Sequence, residues 1–595
     1  MKKRVLLTIL AAAVLTAACT IQPEPPATVP ALGGRSEGTW YEIFTGSFAD
    51  SNGDGIGDLK GIELKLDYLN DSNTAKHRYN MEHDGVCNES LHVDGIWLTP
   101  VMPSPSYHKY DTKDYKDIDP QFGTLEDFNH LLKACHDRGI KVILDLVMNH
   151  SSQDHLWFQE ALKEVRSGKP GRYASYYNFY YGKLPPQNET VEYAYERDEN
   201  LNIKGKKYIS ARYYKHWGRA AENAWWEGSF WTGMPDFNWD SQALREEFKE
   251  IIEFWLTAGL DGFRLDATSW PYDLYGLGQM QNAYNGVNVD EKNIELWAWF
   301  NDYCHSVNDD VYLVGECWKG EDTIANYYRS GMNYFAFGFS DLGTVPWGVN
   351  GHGTDWTNAL VSWERKIKIR NPRAVSAVFL SNHDKSRSAW IWDSDSWWAH
   401  RKRKFGASLY LMSPGTPFIY YGEEIGLADH DANGVYEDYN YRGPMWWSNT
   451  DHSLTPNPPE KMQWTYQASL YNNGVEEQLK DQDSLLRHYI RVINLKKRWP
   501  WLAYGYKIEA LNVSDSRLSA YRVVNPENTA QSVVIVHSTS PYDDININFA
   551  ALGFRKTVEV TYSGLSAFTS DIYQGEAGAG YDKLPGYSTF VFQEY

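Results

Sequence analysis

Eight short, apolar, β-type runs recur along this chain, and helix-patterned stretches separate most of them. The runs are Trp40–Phe44, Val93–Thr99, Lys141–Leu146, Gly262–Asp266, Val311–Glu316, Tyr334–Phe339, Ala377–Ser381 and Pro417–Tyr421. Strands that alternate with helices pair in parallel through βαβ crossovers. Eight such units close into a barrel. The helical pattern is clearest at Leu244–Trp255 and Asn293–Cys304. The stretch before the third run ends in Arg138-Gly139, a helix C-terminal signal. The predicted fold is α/β, a (β/α)8 barrel with an inserted subdomain after the third strand and a C-terminal antiparallel β-sandwich domain.

At 595 residues the chain exceeds what one ordinary core supports. The runs are also unevenly spaced. Over a hundred residues, rich in Tyr, Trp, Asn and Gly, separate the third from the fourth. A connection of that length is functional or a small domain in itself. Residues 151–240 are therefore expected to form a subdomain over the barrel mouth, with a smaller insertion at Asn70–His92. The barrel takes 39–150 and 241–502. Beyond residue 502, alternating runs such as Ser519–Val524 and Ser532–His537, cut by Asn, Pro, Ser and Asp turns, predict a β domain over 503–595.

The first residues are a targeting segment. Lys2, Lys3 and Arg4 precede the apolar run Val5–Ala18, which is too short to span a bilayer stably. The run closes as LTAAC, and Cys19 resembles a lipobox cysteine, so residues 1–18 are expected to be a signal peptide and 19–38 a lipid-anchored linker. Gln22–Gly38 is Pro-rich and then Gly-rich, the composition of a spacer. The expected location is the outer side of a bacterial membrane, facing the periplasm or the exterior. Export permits disulfides, and Cys87, Cys135, Cys304 and Cys317 allow three pairings. No Cys/His spacing suggests zinc. A formal net charge of −20 argues against a nucleic-acid partner, which needs a basic footprint.

Four strings carry the chemistry: DLVMNH at Asp145–His150, GFRLDA at Gly262–Ala267, GECW at Gly315–Trp318 and FLSNHD at Phe379–Asp384. Each follows a strand run, and barrel enzymes place their reacting groups where strands end. The last three deliver Asp266, Glu316 and Asp384. Two carboxyls flanking one bond suffice for glycoside hydrolysis, and a third can steady a cationic transition state. Arg264, two residues before Asp266 on one strand face, can hold that carboxylate charged. A separate string, DSNGDGIGD at Asp50–Asp58, alternates Asp50, Asn52 and Asp54 ahead of Gly55, the Ile56 carbonyl and Asp58. That spacing makes it a calcium-loop candidate beside a plain Asx/Gly turn, although Gly61 stands where an EF-hand carries its closing Glu.

Together these strings resemble the conserved regions of glycoside hydrolase family 13, the α-amylase family. So do WYEIFTGSFADSNGDGIGDLKGI at Trp40–Ile62, GIWLTPVMPSPSYHKYD at Gly95–Asp111, MPDFN at Met234–Asn238 and GTPFIYYGEEIG at Gly415–Gly426. The resemblance implies a retaining hydrolase with Asp266 as nucleophile, Glu316 as general acid/base and Asp384 as transition-state stabiliser. It implies that His150 and His383 bond sugar hydroxyls, that Tyr110 stacks on the sugar, and that Asp111 and Arg387 pair to close the pocket. It also implies Ca2+ as the cofactor of the Asp50–Asp58 loop. Many α-amylases bind a further calcium through a Lys-His pair two and three residues past the DA dipeptide; Ser269 and Trp270 stand there instead. Ala267 after the nucleophile, where α-1,6-preferring relatives tend to carry Val, points to α-1,4-glucans or malto-oligosaccharides as substrate. The alternatives are an α-glucosidase, neopullulanase or oligo-1,6-glucosidase, or a non-catalytic glycan-binding protein on the same barrel.

Overall fold

The computed structural model describes residues 37–594 except 84–88, 182–192, 198–202, 209–215, 273–287, 340–343, 392–396, 430–437, 460–472, 549–551, 554–560, 567–571 and 577–582. The expected signal peptide, Cys19 and most of the linker lie outside the described residues, as does Cys87. Cys135, Cys304 and Cys317 are buried free thiols, so none of the pairings among these three forms. No helix among the described residues is long and apolar enough to cross a membrane.

All eight predicted runs are strands: β1 (Trp40–Ile43), β2 (Gly95–Leu98), β3 (Lys141–Leu146), β4 (Gly262–Leu265), β5 (Tyr312–Gly315), β6 (Asn333–Phe335), β7 (Ser376–Phe379) and β8 (Thr416–Tyr420). They form a closed barrel in which each strand pairs in parallel with the next, and β1 pairs with β8 through Trp40↔Phe418. Helices between them bury one face. In α1 (Leu125–His136), Phe128, Leu131, Leu132 and Cys135 point inward, Thr124 and Asp127 form a reciprocal cap at the start, and Gly139 follows the end with φ +74°. The predicted helical stretches are α2 (Gln242–Thr257) and α3 (Val289–Val307). Two glycines are demanded by strand packing rather than by turns. A Cβ on Gly262 would lie 1.8 Å from the Tyr312 carbonyl oxygen, and one on Gly315 2.5 Å from the Tyr334 ring.

Aromatic rings plug the barrel. Trp40 stacks on Tyr312 at 4.8 Å, and Phe335 meets Phe418 at 5.0 Å and Trp97 at 5.4 Å. Fully burying a large apolar side chain contributes roughly 1.5–3 kcal/mol, so this plug is a substantial part of the core. It is also a dry floor. Any charge placed on it must be paired within the protein.

The long connection after β3 carries a three-stranded antiparallel sheet (Phe179–Tyr181, Ala224–Gly228, His216–Ala221) and a hairpin (Tyr193–Arg197, Ile203–Tyr208). It returns to the barrel through Asp236, bridged to His150, while the Phe237 amide donates to the Asn149 carbonyl at 2.9 Å. The small insertion contains a helix, Thr74–His83. The C-terminal sheet pairs Leu518–Val524, Ser532–Ser538 and Ser588–Glu594 antiparallel, with three further strands at its edges. Its side chains alternate as the sequence does. Tyr521, Val523, Val533, Ile535 and Val591 join the barrel core, while Ala520, Val534, Val536, Phe590 and Phe592 build a separate core on the other face.

Candidate active site

Asp266 and Glu316 each stand one residue beyond a strand, on β4 and β5, and Asp145 lies near the end of β3. The β3–β4 register sets Asp145 beside Arg264. Arg264 is fully buried, with its guanidinium 5.0 Å from the centre of the Trp97 ring. It is shielded from bulk solvent there, and carboxylates surround it. Nη1 donates to Asp145 Oδ1 at 2.9 Å and to Asp266 Oδ1 at 2.7 Å. Nη2 lies 2.9 Å from Glu316 Oε1 as an ion pair without hydrogen-bond alignment.

One cation among three buried carboxyls leaves the cluster negative if all ionise. Burial pushes Asp266 up to about 6, with Arg264 opposing and Asp145 adding to the rise. The expected Arg264–Asp266 pair does form, but burial outweighs it; at neutral pH the group is still mostly ionised. Asp145 is likewise raised by burial to about 6. Glu316 is raised by burial, against Arg264 and with help from Asp266 and Asp384. This is the environment a general acid requires. Glu316 is held by two further donors: Trp318 Nε1 to Oε1 at 2.7 Å and the Ala267 amide to Oε2 at 3.1 Å. Ala267 makes its contact from a left-handed conformation, φ +49°, which disfavours any residue with a Cβ.

Asp384 follows β7 and is the most open of the three carboxyls, with 29% of its side chain exposed. Burial opposes its ionisation, but His383 and Arg442 outweigh that and hold it well below the usual carboxylate range. Arg442 Nη2 donates to Asp384 Oδ1 at 2.7 Å, and His383 Nε2 lies 3.1 Å from Oδ2. His383 is itself buried, and its Nδ1 sits 2.6 Å from Glu42 Oε1 on β1. Burial disfavours the imidazolium, yet Asp384 and Glu42 together raise it to about 10. Tyr110 stacks on His383 with ring centres 5.4 Å apart, and its hydroxyl lies 2.6 Å from Nε2 while donating to Asp145 Oδ2 at 2.9 Å. The ring is thus clamped at the mouth of the barrel. His150 stays neutral, lowered by burial to about 4, and its Nε2 has no hydrogen-bond partner among the described residues.

Asp266, Glu316, Asp384, Arg264, His383, Tyr110 and His150 therefore gather at the C-terminal ends of the strands. The expected Asp111–Arg387 pair does not form. Arg387 donates Nη1 to the Tyr421 carbonyl at 2.6 Å and Nε to the Tyr441 carbonyl at 2.9 Å, over the rings of Tyr420 and Tyr421. Asp111 instead accepts from the hydroxyls of Ser104, at 2.7 Å, and Ser106. Carbonyls take Nε and Nη1 and the rings cover the plane, while Nη2 is buried without a hydrogen-bond partner among the described residues. The arginine that does reach the site is Arg442, which also bonds the Tyr107 hydroxyl at 2.7 Å and the His383 carbonyl at 3.0 Å. Sequence reasoning missed it because it stands on no strand end. Glu42, Asp145 and Trp318 were missed inside quoted strings. An acidic residue in an otherwise apolar strand was the available signal for Glu42 and Asp145.

The Asp50–Asp58 loop is folded by its own side chains. Asp50 accepts from the amides of Asn52, Gly53 and Gly55, Asn52 from that of Asp54, and Asp54 from that of Ile56. Asp58 accepts from Ser51 and caps the next helix at Gly61 N, 2.6 Å away. None of these carboxylates has an ion-pair partner among the described residues. Among the described residues no three His, Cys, Asp or Glu side chains converge as a metal-binding group.

Comparisons with known proteins agree with this geometry. The sequence profile of the α-amylase catalytic domain matches residues 42–76 and 88–505. Alpha-amylase 3 of Dictyoglomus thermophilum is 33% identical over 505 residues, covering 84% of this chain and 84% of that protein. An oligo-1,6-glucosidase of Bacillus cereus is 28% identical over 530 residues, covering 79% and 85%. Among solved structures, Eubacterium rectale Amy13B superposes with a TM-score of 0.74 at 30% identity, over 96% of this chain and 99% of that one. The α-amylase from H. orenii gives 0.70 at 31%, over 94% and 100%. With its closed eight-stranded barrel and a catalytic-domain match over most of its length, this chain belongs to the α-amylase family of glycoside hydrolases.

Proposed function

We propose that this enzyme is a retaining α-1,4-glucan hydrolase of the α-amylase type. The observation that carries the reading is the single Arg264 guanidinium shared by Asp266 and Glu316, which keeps the two carboxyls close. In retaining enzymes the pair stands roughly 5–5.5 Å apart. Asp266, largely ionised at neutral pH, attacks the anomeric carbon while protonated Glu316 gives its proton to the departing glycosidic oxygen. Water then displaces Asp266 and returns a proton to Glu316. Asp384, kept ionised, faces the positive charge that develops on the sugar. His150 Nε2 is free to bond a sugar hydroxyl, His383 and Tyr110 line the reacting ring, and Arg442 takes the pocket-closing place expected of Arg387. Ala267 leaves room for the α-1,4 linkage. A second reading, an oligo-1,6-glucosidase or α-glucosidase, has similar relatives of those names behind it.

Asp266→Asn is expected to abolish turnover with the fold intact. Glu316→Gln should slow maltotriose far more than an aryl maltoside, whose leaving group needs little protonation. The first product read by NMR should be the α anomer, and a β anomer would remove the retaining assignment. Maltotriose should be cleaved faster than isomaltose by about 10-fold or more. The reverse order would promote the second reading.

Two further proposals rest on the sequence. Ca2+ would take Asp50, Asn52, Asp54, the Ile56 carbonyl and Asp58, an all-oxygen set suited to a hard cation. In its support stand three carboxylates without an ion-pair partner among the described residues; the internal amide bonds alone would also suit a plain turn. Cys19 would carry lipid and anchor the mature enzyme to a membrane through the 19–38 linker.

A further inference from the structure

Glu316 makes unequal use of its two oxygens. Oε1 receives the Trp318 indole N–H at 2.7 Å and faces Arg264 Nη2 at 2.9 Å. Among the described residues Oε2 receives only the Ala267 amide, at 3.1 Å. A proton on Oε1 would point at two nitrogens that offer hydrogens and no lone pair, so the neutral acid is accommodated only with its proton on Oε2. Trp318 is not a core residue: 46% of it is exposed. Its ring rests on Phe337 at 4.8 Å, with the Lys385 ammonium 5.3 Å from its centre, and this packing turns the indole nitrogen toward Glu316.

We propose that Trp318 is a positioning residue that reserves Glu316 Oε1 as a permanent acceptor and leaves Oε2 as the atom that gives and takes the proton. The inference rests on the reading of Glu316 as general acid/base. In the first step the Oε2–H proton passes to the glycosidic oxygen as its bond to the anomeric carbon breaks and the bond to Asp266 forms. In the second, a water oxygen bonds the anomeric carbon, the bond to Asp266 breaks, and the water proton returns to Oε2. The charged groups facing Glu316 are Arg264 and Asp266 from β4 and Asp384 from the loop after β7. Burial and the two anions favour the neutral acid. Donation from Trp318 favours the carboxylate, the form needed to take up the water proton. The indole thereby keeps the group from being too weak an acid for the second step.

Trp318→Phe keeps a ring on Phe337 and removes the N–H; Trp318→Leu removes both. The pH profile of kcat/KM would be measured for wild type and both variants on maltotriose and an aryl maltoside, with Glu316→Gln alongside. The basic limb, which reports the acid, should move up by about half to one pH unit in both variants. The kcat on the aryl substrate should fall by about 10-fold, because base catalysis of the second step is impaired. Loss of the ring in Trp318→Leu should add a higher KM. A basic limb that stays in place in Trp318→Phe, or moves only in Trp318→Leu, overturns the proposal. If Glu316→Gln slows both substrates equally, the acid/base reading itself has failed. If it discriminates between them while the Trp318→Phe limb is unmoved, only the positioning role has failed.

Discussion

Arg264 decides the character of the site at the scale of single residues. A guanidinium buried on a floor of aromatic rings is shielded from bulk water, so Asp145, Asp266 and Glu316 surround it, and burial, helped by repulsion between the carboxylates, raises two of the groups the reaction uses. The arrangement has a stability consequence. Asp266 holds its proton to about 6 in the folded chain and to about 4 in an unfolded one, as aspartates ordinarily do. Folded chains therefore bind that proton more tightly, and stability falls as pH rises through the interval between the two values. Asp266→Asn removes the buried charge. Its melting temperature should exceed wild type by about 2–4 °C at pH 8, with the gain shrinking toward zero near pH 4. Thermal unfolding of both proteins across that range checks it, and a difference independent of pH would rule out this origin. The His383 imidazolium follows the same sign at higher pH. Held between Glu42 and Asp384 and raised to about 10, it adds stability that is fully present below its ordinary value near 6.5 and is lost as pH climbs through 10.

At the scale of elements, barrel strands present each functional group one step past the last ladder pair. The predicted runs overshot the strands for that reason: β5 ends at Gly315 and β4 at Leu265, because Glu316 and Asp266 belong to the opening mouth. β6 is shortest: Asn333–Phe335 starts one residue before the expected Tyr334–Phe339 and stops at Phe335, where the chain turns away. The Asp50–Asp58 loop shows how one local pattern can serve two ends. Its Asx bonds suffice to fold a turn, and its uncompensated charge suits a cation. If calcium binds there, EDTA should lower the melting temperature and Ca2+ restore it, since a ligand of the folded state alone stabilises by mass action. Asp54→Ala should abolish that response. Wild-type protein with no EDTA shift and no metal by elemental analysis would leave the loop a turn.

Across the whole molecule, the C-terminal sheet is bound to the barrel's helices by specific contacts. The Thr357 and Ser519 hydroxyls meet at 2.8 Å, Tyr587 stacks on Phe405 at 4.8 Å, and the Tyr521 hydroxyl donates to the Met412 carbonyl at 3.2 Å. The sheet therefore shares the catalytic core rather than hanging from it. At the N-terminal end, the proposed anchor at Cys19 would be joined to the barrel through the 19–38 linker. The full-length protein should fractionate with membranes and be released by detergent, whereas Cys19→Ala should become soluble; the several chains of a bacterial lipoprotein bind stably where one would be marginal. Equal incorporation of a clickable palmitate analogue into both would contradict the anchor.

What the sequence by itself determined is whatever is written locally. Period-two runs, helix caps and strand-end carboxylates depend on neighbours a few residues away, and they marked the barrel, the β domain and Asp266, Glu316 and Asp384. The tertiary structure alone decided which distant groups meet them. Arg442 reaches Asp384 across 58 residues and Glu42 reaches His383 across 341, while Arg387, well placed in sequence, turns to carbonyls instead. No short-range pattern distinguishes an arginine that will face a carboxylate from one that will face a carbonyl. The choice is made by electrostatics and packing inside the closed barrel, where a buried charge must take the partners that the assembled walls bring within reach.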